Sequence, residues 1–191
     1  MKEQFKKLKK TTQAAHIYYA CENEENYLEN LSSYILAGIE QGDSIILIEN
    51  DRMYSLLQQK LSPLLTEQQW KKVYPVNNFD YYFSSGSFTP SAIFAYLDRV
   101  LKPYIVQYLS FRIWAHVEWN KAEEVLPILE GFEQQADLLV NEQKLMTVCA
   151  YNKERVSKSL DQSLMKCHEF ILMEDEIIAS DKYVQKKARS R

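Results

Sequence analysis

Residues 16–49, HIYYACENEENYLENLSSYILAGIEQGDSIILIE, constrain the fold of this chain more than any other stretch. A β-prone run at 16–20 is followed by helical spacing, with Tyr27, Leu31, Tyr34, Ile35 and Ile39 on one face. A Gly42-Asp43 turn then leads into a second apolar run at 44–48. That run is continuously apolar rather than alternating, as in a parallel strand covered by helices on both faces. The stretch reads as the opening βαβ unit of a parallel sheet. Nucleotide-binding folds put glycines at the strand-to-helix junction of such a unit, where backbone amides approach phosphate at a helix N-terminus. Here the junction is Cys21-Glu22-Asn23-Glu24-Glu25, with no glycine, no lysine and three acids. It repels phosphate, so a ligand there is expected to be neutral or cationic.

The rest of the chain repeats the alternation. Strands are expected at 73–76, 109–117 and 145–150, and helices after Asp51, after Thr89-Pro90 with Ile105 on its core face, and over 122–142 with Val125 and Ile128 on its core face. Pro63 should split the first of these helices, and Thr66 with Gln69 resembles a second cap. The aromatic run 77–83, followed by Ser84-Ser85-Gly86-Ser87, is long enough for a lid. The sequence after Asn152 reads as helical. The expected fold class is α/β, a doubly wound, mainly parallel sheet of five or more strands with a C-terminal helical extension. The divisions are a basic arm (1–14) that is a mobile or helical lead-in, an α/β domain (15–172) and a helical, basic tail (173–191).

With 191 residues, 46% hydrophobic and 13% aromatic, the chain can bury a substantial core. It shows no signal peptide and no long apolar run, so a cytoplasmic location without membrane insertion is expected. The net charge is −3, with +4 in the first ten residues and +5 in the last ten, which leaves −12 on the body. An acidic body argues against nucleic acid, and short terminal charge runs are usually solvated ends.

Ligands of open parallel sheets bind beyond the carboxyl ends of the strands. Those ends supply Cys21, Glu22, Asn77, Glu118, Trp119 and Tyr151, with Glu25 on the following helix. In the fourth strand Arg112, Trp114, His116 and Glu118 share one face, and buried charges there need a ligand, each other or helix caps as partners. His16, His116 and His168 with Cys21, Cys149 and Cys167 show no metal-ligand spacing. Cys149 reads as a small core residue, and Cys167-His168 as neighbours on different helix faces that cannot share an ion. No metal, no cofactor and no catalytic residue is therefore expected.

The unit opened by His16, the run SFRIWAHVEW with Arg112 through Glu118, and TVCAYNKERVSKSLDQSLMKCHEF with Cys149-Ala150-Tyr151 followed by His168, in this order, resemble the MEDS domain. This is the sensory domain named for methanogens, methylotrophs and the DcmR regulator, and the resemblance runs over about 16–172. It implies a RecA/KaiC-like fold with a degenerate phosphate loop, used in prokaryotic regulators to sense small molecules and often joined to kinase or DNA-binding modules. No such module is recognisable here, so a signal must leave through the terminal arms or a separate protein.

The expectation is a non-enzymatic sensory module for signal transduction. It binds a small molecule at His16, Cys21, Glu22, Glu25, Asn77, Arg112, Trp114, Glu118, Trp119, Tyr151 and His168, and signals to a protein partner; a homodimer stays open. The alternatives are a residual nucleotide binder or enzyme of the same fold, which lacks GxxxxGK[ST] and any triad, and a protein-interaction adaptor.

Overall fold

The computed structural model describes residues 1–119 and 122–184, and for 122–126 the backbone only. The expected burial of Val125 and the basic run at 185–191 lie outside the described residues. Its helices are α1 (Lys2–Thr11), α2 (Glu24–Glu40), α3 (Asp51–Leu61), α4 (Glu67–Trp70), α5 (Asn78–Tyr82), α6 (Pro90–Val106), α7 (Ala122–Gln143) and α8 (Lys158–Cys167). The strands are β1 (Ala15–Cys21), β2 (Ser44–Glu49), β3 (Val73–Asn77), β4 (Phe111–His116), β5 (Met146–Asn152), β6 (Phe170–Leu172) and β7 (Ile177–Ala179). They form one sheet in the order β3-β2-β4-β5-β1-β6-β7, parallel except for the β6–β7 pair. None of the described helices is long and apolar enough to cross a membrane.

The sheet is doubly wound because its strands are apolar on both faces. Ile45, Leu47, Trp114 and Val148 pack under Leu31 and Ile35 of α2 and Leu57 of α3. Ile46, Ile48, Ile113 and Ala115 pack under Ile93 and Leu97 of α6, Leu129 and Phe132 of α7 and Leu164 of α8. Asn23 caps α2 by accepting from the Asn26 amide, while Glu24 and Glu25 suit the positive end of its dipole. Gly42 ends the turn after α2 at φ +87°, a conformation that favours glycine. Gly38 has a packing role, since a Cβ there would lie 2.4 Å from Ile45 Cδ1 and 3.0 Å from Arg112 Cδ.

Several expectations are corrected. The first residues are not a solvated arm: α1 docks through Phe5, fully buried and edge-on to Tyr34 at 5.0 Å, while Lys2 and Lys6 pair with Glu40. The segment after α8 is not helical. Phe170 and Ile171 pair with Ile17 and Tyr18 of β1, and β7 closes a hairpin on β6. Three-residue strands are too short to display a period, so only their sheet neighbours select them. Gln4 of α1 accepts from the Ile177 amide at 2.9 Å and donates to the Asp175 carbonyl, covering the start of the edge strand. The aromatic run 77–83 does not form a lid, because α5 buries Tyr81 and Tyr82 in the core. Ile105 and Ile128, expected on core faces, are exposed.

Candidate functional site

Strand order decides where the carboxyl edge opens. From β1 the chain leaves through α2 toward β2 on one side, and from neighbouring β5 it leaves through α8 toward β6 on the other. Adjacent strands whose connections diverge leave a crevice at their carboxyl ends. Beside this crevice, between β1 and β6 and under α8, lies a cavity of about 140 Å³, lined by Tyr18, Tyr19, Glu22, Lys153, Asp161 and Glu174 among others. Tyr18 donates to Asp161 at 2.8 Å, Asn26 donates to Glu174 at 3.0 Å, and Lys153 lies 3.5 Å from Glu22. Three carboxylates against one lysine leave the lining net acidic. Burial pushes the Tyr19 phenol up to about 12, so it stays a donor at neutral pH.

Of the strand-end residues singled out from sequence, only Glu22 lines this cavity. Cys21 lies beside it, donating to the Tyr151 carbonyl at 3.2 Å, with its thiol pushed up to about 11 by burial. Glu25 is exposed on the first turn of α2. Asn77 caps α5 and donates to Asp51 at the far edge of the sheet. The acidic junction does not face Glu118 across an open crevice, as β5 stands between them. Glu118 is held by Arg155 at 2.6 Å, whose guanidinium lies 4.2 Å over the Trp119 ring and also donates to the Trp119 carbonyl. Arg112 sits at the opposite, amino end of the sheet, donating from Nε to Asp43 at 2.8 Å and from Nη2 to Asp43 and Gln41.

Two buried polar networks flank the sheet. On the α2 face Trp114 Nε1 donates to the Tyr27 hydroxyl at 2.8 Å, and Tyr27 in turn donates to Glu49. Glu49 also accepts from the Asn50 amide at 2.8 Å and meets His116 Nδ1 at 2.9 Å. Burial alone would lower the His116 pKa, but the hydrogen bond and charge of Glu49 outweigh it and raise it. A raised folded-state pKa gives stability that is complete below the unfolded value, about 6.5, and is lost as pH rises through the folded value. The urea midpoint of the wild type is therefore expected to fall toward that of His116→Asn as pH rises above about 6.5. Parallel pH profiles for the two proteins would show that this pair contributes nothing.

The second network lies on the α7–α8 face. The carboxylate of Glu133, on α7, accepts from the Tyr151 hydroxyl through Oε1, and its Oε2 lies 3.4 Å from both His16 Nε2 and His168 Nε2. Cys149 Sγ lies 3.4 Å from His16 Nε2, and the two imidazoles stack with centroids 3.9 Å apart. His16 Nδ1 meets the Cys167 carbonyl at 3.1 Å and Asp137 at 3.3 Å; His168 Nδ1 meets the Leu164 carbonyl at 2.8 Å. All four side chains are buried, and one donor atom from each lies within 4.8 Å of the others. Burial raises the Cys149 thiol to about 11, so the Cys149–His16 contact is not an activated nucleophile.

Sequence spacing could not reveal this cluster. Strand pairing brings Cys149 beside His16, and α8 ends at Cys167, so His168 follows in extended backbone rather than on a helix face. Glu133 and Asp137 were missed, although both interrupt the α7 stripe of Leu129, Phe132, Ala136 and Val140, an available signal of a buried polar site.

No curated protein and no solved structure matches the chain. A family model matches residues 15–169, a span that holds Glu22, Asp161 and the whole His16, Glu133, Cys149 and His168 cluster. The chain therefore belongs to the MEDS family, the MEthanogen/methylotroph, DcmR Sensory domain.

Proposed function

We propose that this chain is a non-enzymatic, cytoplasmic sensory module. It binds a small neutral or cationic molecule in the cavity between β1 and β6 and passes the change to a protein partner. The observation that carries this reading is the acidic cavity beside the carboxyl end of β1, lined by Glu22 of the junction at which a nucleotide-binding βαβ unit would hold phosphate. At about 140 Å³ it is smaller than the roughly 300–1,000 Å³ of pockets for drug-sized ligands, which favours a ligand of few atoms. The absence of activated thiols supports a non-catalytic role: burial raises Cys21 and Cys149 to about 11 and Cys167 to about 12.

A route for the signal follows from the walls. Glu174, in the β6–β7 turn, is held by Asn26, and the same turn is tied to α1 through Gln4. A ligand that takes the place of Asn26 on Glu174 shifts the turn, and with it β7 and α1.

Thermal-shift titrations with two series test this reading, one of small amines and alcohols, the other of nucleotides and organic phosphates. Members of the first series are expected to raise the melting temperature of the wild type and not of the Glu22→Lys, Glu174→Lys double variant. Stabilisation by ATP or GTP alone would overturn the proposal in favour of a residual nucleotide binder.

A further inference from the structure

We propose that His16, Glu133, Cys149 and His168 are the ligands of a divalent transition-metal ion of the zinc class, enclosed between β1, β5, α7 and the end of α8. The site is separate from the cavity at the carboxyl edge and stands whether or not that cavity binds an amine.

The first argument is the direction of the lone pairs. Each imidazole has its Nδ1 against a backbone carbonyl, Cys167 for His16 and Leu164 for His168, so Nδ1 is the donor and the neutral ring presents a bare Nε2. Both Nε2 atoms are aimed at the same carboxylate oxygen, Glu133 Oε2. Three acceptors therefore meet in a space closed to water. A proton on His16 relieves one contact and leaves the other, and both Glu133 Oε2 and His168 Nε2 are buried without a hydrogen-bond partner. A cation at the point where they converge satisfies all of them.

The second argument is distance. The two contacts of 3.4 Å from Nε2 to Glu133 Oε2 are longer than the roughly 2.7–3.2 Å of a good N–H···O bond. With metal–nitrogen and metal–oxygen distances of about 2.0–2.2 Å and metal–sulfur of about 2.3 Å, the edges of a ligand tetrahedron are about 3.3–3.6 Å. Three of the six edges, His16–Glu133, His168–Glu133 and His16–Cys149, have that length, and all four donor atoms lie within 4.8 Å of one another, so a small inward movement closes them on an ion.

The third is the supporting shell. Metal-bound histidines usually donate their other N–H to a carbonyl or carboxylate, and ligating carboxylates are themselves hydrogen-bonded. Here the two carbonyls and Asp137 orient the rings, and Tyr151 holds Glu133 Oε1. Charge also balances. On binding, Cys149 loses its S–H proton to solvent as the metal–sulfur bond forms, and the ion with one thiolate, one carboxylate and two neutral imidazoles sums to zero, as a buried site requires. A thiolate with two imidazoles selects zinc-like ions over magnesium or calcium. With four protein ligands the site is closed, so the ion acts by clamping β1 and β5 to α7 and α8.

The test is a cobalt(II) titration of the full chain after treatment with a chelator. One equivalent is expected to bind, with the intense visible bands of four-coordinate cobalt and an ultraviolet thiolate-to-cobalt charge-transfer band, and zinc should displace it. Cys149→Ser should lose the charge-transfer band, and Glu133→Gln and His168→Gln should weaken binding at least tenfold. Zinc should raise the melting temperature of the wild type. A folded wild-type chain, by circular dichroism, that binds no cobalt or gives a six-coordinate spectrum would overturn the proposal. So would a charge-transfer band that survives Cys149→Ser.

Discussion

Replacing Arg112 by methionine is expected to lower the free energy of unfolding by about 3–5 kcal/mol, the usual cost of removing one partner of a buried ion pair. Arg112 is completely buried and Asp43 nearly so, and the Asp43 carboxylate receives Nε and Nη2 of Arg112 together with the Ser110 hydroxyl. Without the guanidinium that charge stays in the core, or takes up a proton, with no partner of opposite sign. The guanidinium also lies 5.2 Å over the Tyr34 ring, a contact that methionine fills only in part. The expected asymmetry is the sharper test. The double variant Arg112→Met, Asp43→Asn holds no buried charge and should regain most of the lost stability, because the penalty belongs to the unpaired ion rather than to the pair. Urea unfolding followed by circular dichroism measures both. A single variant within 1 kcal/mol of the wild type, or a double variant no better than the single, would show that water reaches Asp43.

Trp114→Ala should cost a similar amount, about 3–5 kcal/mol, for a different reason. Trp114 is fully buried in mid-sheet, with the rings of Tyr34, Tyr27 and Tyr19 at 5.3, 5.7 and 6.0 Å, so its removal leaves a cavity in the tightest part of the α2 face. Its indole N–H is also the donor to Tyr27 that starts the chain leading to Glu49. Trp114→Phe keeps most of the volume and loses the hydrogen bond, and is expected to cost about 1–2 kcal/mol. Against a total stability of roughly 5–15 kcal/mol, the alanine variant keeps about 0–12 kcal/mol, so at the low end of that range it unfolds. An alanine variant as costly as the phenylalanine one would mean that the neighbouring tyrosines collapse into the space.

These two residues show how far sequence reasoning reaches. The alternation of β4 revealed that Arg112, Trp114 and His116 share one face, and burial made partners for them necessary. The identity of the partners depended on a register that alternation does not contain. Ser44 stands opposite Phe111, which places Asp43 at the amino end beside Arg112 and leaves Glu118 to Arg155, 37 residues away in sequence. The same limit applies to the crevice at the carboxyl edge. The acidic junction was legible from the missing glycines, but its neighbour across the cavity is the β6–β7 turn and α8 rather than Glu118. Three-residue strands leave no periodicity to read, and their place beside β1 is a matter of pairing.

By itself the sequence determined the layered α/β fold, the starts of α2, α4 and α6, the absence of glycine and lysine from the first strand-to-helix junction, and the family. Each depends on residues close together in the chain, where period, capping and backbone freedom act locally. Only the tertiary structure decided where the carboxyl edge opens and what lies in the core beneath it. His16, Glu133, Cys149 and His168 are spread over 153 positions of the chain, and their meeting depends on β5 pairing with β1 and on α8 ending one residue before His168. Such contacts are fixed by strand order and helix length, which act over the whole molecule and leave no mark in the spacing of the residues they join.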